Sequence, residues 1–116
     1  MNPGHDKRIS QAPRLYEALR DGCAAIRAEY NFSTDAEHDL TPRTERVYKA
    51  VLKAERAIGL ISPGETFRNW HLVAHDLHEA AIEFRKATSI WTVMNRDLQT
   101  AHMRIQRAMI QSGQAA

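Results

Sequence analysis

Six histidines occur in this 116-residue chain, and three of them, His71, His75 and His78, fall within eight residues. Their spacings of four and three place them on one side of a helix. Neutral imidazole is a common ligand for zinc, nickel or copper, and a pair at i, i+4 can chelate one ion. A complete site needs three or four ligands, commonly with a carboxylate or thiolate among them. The chain has one cysteine, Cys23, which is distant in sequence and sits on an apolar stripe. No HExxH occurs, and no pair of Glu-x-x-His motifs. His71, His75 and His78 are therefore weak metal candidates, and no metal or other cofactor is assigned. Cys23 reads as core packing, because a nucleophile needs a nearby base and partial exposure. The five glycines are scattered and build no phosphate-cradling loop.

The same helix face carries an arginine. Arg68 is followed by polar Asn69, and six residues separate Arg68 from His75. This resembles the R-x(4–6)-H motif of HEPN ribonucleases, which are small all-α domains, over eight residues of the 116. The resemblance implies a metal-independent ribonuclease acting at a dimer interface. Arg68 would stabilise the charged phosphorane, and His75 would serve as acid or base near neutral pH. An apparently continuous third helix is a departure from that family.

The elements that must position these residues are marked by proline. Pro13, Pro42 and Pro63 each open an apolar pattern of helical period, as suits a residue with fixed φ and no N–H. A first helix is predicted over about 13–30, with Leu15, Leu19, Cys23, Ile26 and Tyr30 on one stripe and Gly22 as a blemish costing roughly 1 kcal/mol. Polar residues 31–40 read as a loop. A second helix is predicted over 42–59, capped by Thr41, striped by Val47, Val51, Ala54 and Ile58, and stopped at Gly59 by a left-handed turn.

The third helix opens on a capping box, Ser62-Pro63-Gly64-Glu65. Beyond it, Trp70, Leu77, Phe84, Trp91, Leu98 and Ile105 recur every seven residues. Val73, Ala80, Ala87, Met94, Ala101 and Ala108 follow them three residues on. The unbroken phase predicts one helix over about 63–111, spanning roughly 70 Å. Two shorter helices cannot cover it, so the far half of its stripe calls for a second copy of the chain. The alternative is a compact four-helix bundle with a turn near Ser89, where Thr88-Ser89-Ile90 is poor in helix formers. Residues 1–9 and 113–116 read as flexible tails of a single domain.

Composition narrows the function class. Sixteen Lys and Arg oppose 14 Asp and Glu, 43% of residues are hydrophobic and 26% charged, as in an ordinary folded soluble protein, and the helical patterns above make it all-α. No apolar run approaches the ~18 residues of a membrane span. The start MNPGHDKRIS has no apolar segment, so a cytoplasmic protein without a membrane association is expected. Arg85, Lys86, Arg96, Arg104 and Arg107 against Asp97 make the last 32 residues +4 and leave the first 84 at −2. That asymmetry suits nucleic acid or an acidic protein surface. The leading expectation is a non-enzymatic interaction protein that self-associates through Trp70, Leu77, Phe84, Trp91, Leu98 and Ile105 and binds a protein partner. The alternatives are the HEPN-like ribonuclease and a nucleic-acid-binding accessory protein.

Overall fold

A computed structural model describes residues 3–29, 42–61 and 69–113. Within them the chain is all-helical: α1 Pro3–Glu29, α2 Pro42–Ile58, α3 Trp70–Thr88, a 3-10 turn Ser89–Val93, and α4 Arg96–Gln111. This is the four-helix alternative, and it corrects the single third helix. The molecule's longest dimension is 48 Å, too short for a helix of roughly 70 Å.

The break has identifiable causes. Thr88 Oγ1 donates to the Phe84 carbonyl at 2.7 Å and Thr92 Oγ1 to the Ser89 carbonyl at 2.7 Å. Hydroxyls in these positions compete with the backbone ladder. Asn95 then starts α4. Its Oδ1 accepts from the Leu98 N–H at 2.9 Å, and its Nδ2 reaches the Ala25 carbonyl at 3.4 Å. Asn95 is buried, so this cap also anchors the start of α4 to α1.

The heptad phase survives the turn because α3 and α4 face the same core. Leu77 and Phe84 from α3 and Leu98 and Ile105 from α4 are all 0% exposed. The pattern is weakest at the turn, where Trp91 is half-buried and Met94 is 86% exposed.

The first helix also differs from expectation. It begins at Pro3, so residues 3–9 are helical rather than a tail, and Pro13 lies inside it. Proline there removes the N–H that would bond the Ile9 carbonyl. Ile9 and Ala12 pack against the core on the weakened turn, and that burial holds the helix through Pro13. Gly22 is not a blemish. A Cβ on it would lie 2.8 Å from Phe84 Cζ, so α1 needs a glycine where α3 crosses.

The second helix starts at Pro42 as predicted and ends at Ile58, one residue short of the predicted 42–59, but Gly59 does not take a positive φ. Among the described residues the left-handed glycine is Gly113, at φ 84°, behind α4. Tyr30, the cap Thr41 and the box Ser62–Glu65 lie outside the described residues, and α3 starts only after non-helical Asn69.

α1 is the hub. It packs along α2, α3 and α4, and α2 packs along α3. Arg27 clamps α1 to α2 through two bonds to Glu55 at 2.6 and 2.7 Å. Arg104 of α4 reaches back to Asp21 of α1 at 2.7 Å, and Arg14 of α1 reaches Gln111 at 2.7 Å. By contrast α3 and α4 approach each other little, and α2 stays away from α4. The bundle is therefore open on the side where α3 faces α4.

Candidate functional site

The opening is a groove of about 900 Å³. Ile82, Arg85, Lys86 and Ser89 line it from α3 and the first residue of the turn. Their offsets of three, four and seven define one helix face. Gln99, His102, Met103, Gln106 and Met109 line it from α4 by the same periodicity, with Arg46 from α2 at the rim and Thr92 at the turn. Burial of the opposite faces against α1 orients both walls.

The groove combines an apolar floor with one sign of charge. Ile82 and Met103 supply the apolar surface, over Met109, which is only 3% exposed. Met103 is 59% exposed, so its thioether stands in solvent rather than in the core. The charged lining residues are Arg46, Arg85 and Lys86, and among the described residues no carboxylate lines the groove or forms an ion pair with any of them. Three cations with no counter-charge among the described residues, beside methionine and isoleucine, form a surface suited to an acidic, partly apolar ligand.

His102 forms the joint between the two walls. Thr88 Oγ1 gives its proton to the Phe84 carbonyl, so it accepts from His102 Nε2 at 2.6 Å. The imidazole also packs on the Phe84 ring, with centroids 5.9 Å apart. Burial, with Arg85 adding repulsion, pushes the His102 pKa down to about 4. The ring is thus neutral at ordinary pH and acts as a structural donor.

The residues singled out from the sequence are dispersed. His71 and His75 are exposed, whereas His78 is buried with Nε2 3.4 Å from the Arg8 carbonyl. The three lie on one side of α3 with His78 at its buried edge, and among the described residues no cluster of His, Cys, Asp and Glu could hold a metal. His78 turns inward because it stands one residue after Leu77, at the edge of the core stripe. Arg68 lies outside the described residues. Asn69 is exposed just before α3, and His75 faces Glu79 at 3.7 Å on open surface. Cys23 is 4% exposed, and burial together with Glu55 pushes its thiol up to about 12, so it is an inert core residue.

The six heptad positions are occupied within the chain. Leu77, Phe84, Leu98 and Ile105 are fully buried, and Trp70 and Trp91 pack partly against the same core. Four of the six have no surface to offer a second chain. The five basic residues divide as well: Arg85 and Lys86 line the groove, Arg104 is held by Asp21 and Glu17, and Arg96 and Arg107 are exposed elsewhere on α4.

Arg46, Ile82, His102, Met103 and Met109 were not singled out by sequence reasoning. The available signal was apolar residues off the heptad stripe. Ile82, Met103 and Ile110 fall where a continuous heptad helix would place polar groups.

No protein-family model matches this sequence, and neither curated proteins nor solved structures provide a significant relative. Among the described residues no helix is long and apolar enough to cross a membrane. The functional reading therefore rests on the site itself.

Proposed function

We propose that this protein is a non-enzymatic helical interaction protein whose partner-binding surface is the groove between α3 and α4. One observation carries the reading. The groove, of about 900 Å³, pairs an apolar floor with Arg46, Arg85 and Lys86, and among the described residues no carboxylate forms an ion pair with them. Surfaces of that composition bind partners, because an apolar patch rimmed by charge loses water favourably only when it is covered. Self-association through the heptad residues is not part of this reading, since most of them are enclosed by the chain's own helices.

The test is site-specific photocrosslinking with the full chain. A photoreactive residue replaces Gln106 in the groove, or Ala28 on α1 away from it. The expected result is protein adducts from position 106, absent from position 28 and lost on adding Met103→Glu. Equal adducts from both positions, or nucleic-acid adducts from position 106, would contradict the reading.

A further inference from the structure

We infer that the groove takes a short acidic amphipathic helix from a different protein; this rests on the groove being the partner surface. The shape comes first. The lining of α4 runs from Gln99 to Met109, about 15 Å at 1.5 Å per residue. That is close to three helical turns. α3 and α4 form two splayed walls, so the space between them accepts a rod laid along the groove. The groove is open to solvent, as the 59% exposure of Met103 shows, so a small molecule would not be enclosed as such ligands usually are.

The chemistry of the lining selects the rod. Ile82 and Met103, over the nearly buried Met109, offer an apolar seat for side chains at i, i+3 or i+4 spacing, and methionine adapts its shape to them. Arg85 and Lys86 on one wall and Arg46 at the rim then face the flanks of the bound helix, where carboxylates would pair with them. A second copy of this chain is a poor occupant. A two-fold pairing through the groove sets the three cations of one copy against the same three of the other. Single-stranded nucleic acid would satisfy the cations, but among the described residues the groove presents no free aromatic face for stacking, since the His102 ring is packed on Phe84.

The experiment uses three fluorescent probes and the full chain. Two are helix-stabilised peptides of about 12 residues with the same leucine stripe, one bearing glutamates and one lysines at the flanks. The third is a single-stranded RNA of about 12 nucleotides. Anisotropy is measured against the parent protein, Met103→Glu, the pair Arg85→Glu with Lys86→Glu, and the milder pair Arg85→Gln with Lys86→Gln. The expected result is saturable binding of the acidic peptide, at least tenfold stronger than the basic one. Met103→Glu and Arg85→Gln/Lys86→Gln should each weaken it several-fold, and Arg85→Glu/Lys86→Glu should reverse the charge preference. Equal binding of both peptides, lost with Met103→Glu, would overturn the acidic-helix inference and leave the groove as a protein site. RNA binding without peptide binding would overturn both. Binding of no probe, by protein that retains its parental helix content, would overturn the inference.

Discussion

Gly22 of α1 lies directly against the ring of Phe84 of α3. A β-carbon added at Gly22 would sit 2.8 Å from Phe84 Cζ, 2.9 Å from Cε1 and 3.3 Å from the β-carbon of Ala101 on α4. Three helices therefore meet at a point where one must have no side chain. This contact sets how closely α3 and α4 seat on α1, and so how the groove walls are held.

Gly22→Ala should destabilise the protein, although alanine is the better helix former. The propensity gain is about 1 kcal/mol, whereas forcing a methyl into a packed core costs roughly 1–3 kcal/mol. A net loss is expected as a lower urea midpoint at unchanged slope. On a Phe84→Leu background the loss should shrink, because the ring atoms that clash are gone. A rise in the midpoint for Gly22→Ala alone would contradict the close contact.

Asn95→Ala should cost about 1 kcal/mol or somewhat more, through the lost cap on the Leu98 N–H and the lost bond to Ala25. Asn95→Ser should keep much of the stability, because its hydroxyl can still accept from the first turn of α4. Equal stability of the parent and Asn95→Ala would mean that the chain does not break there.

His102 should make stability depend on pH on the acidic side. Its folded pKa of about 4 lies below the ordinary 6.5, so the unfolded chain takes the proton first. Its contribution is full above about 6.5 and is lost as pH falls toward about 4. The urea midpoint of the parent should fall more over that range than the midpoint of His102→Gln. Parallel curves for the two proteins would contradict a buried, neutral His102.

Leu98→Ala and Met103→Glu should separate core from surface. Leu98 is fully buried, and its truncation should cost roughly 2–5 kcal/mol. Met103 stands 59% exposed, and its replacement by glutamate should change stability by about 0.5 kcal/mol or less. Comparable losses in thermal unfolding would show that Met103 is packed and that the groove is closed.

The helical periodicity reports which way each side chain faces, not whether the backbone is continuous. That is why Trp70 to Ile105 kept one phase across a turn: both segments are oriented by the same α1. The break was legible locally, in Thr88, Ser89 and Thr92 followed by the cap Asn95, and the heptad pattern outweighed those signals. The role of Gly22 was not legible, because Phe84 stands far along the chain and only the fold brings them together. The groove is likewise a relation among α2, α3 and α4. The excess of basic residues after Phe84 was visible, but the fold ties Arg104 to α1 and leaves Arg85 and Lys86 in the groove.

The most direct test of the groove uses its methionines. The chain has four methionines, and among the described residues Met103 and Met109 line the groove while Met94 follows the 3-10 turn. Protein labelled with carbon-13 at the methionine methyls would be titrated with the acidic helical peptide and followed by NMR. Saturable shifts of Met103 and Met109, with Met94 unmoved, are the predicted result. Shifts confined to Met94, or the same Met103 and Met109 shifts with the lysine-flanked peptide, would contradict it.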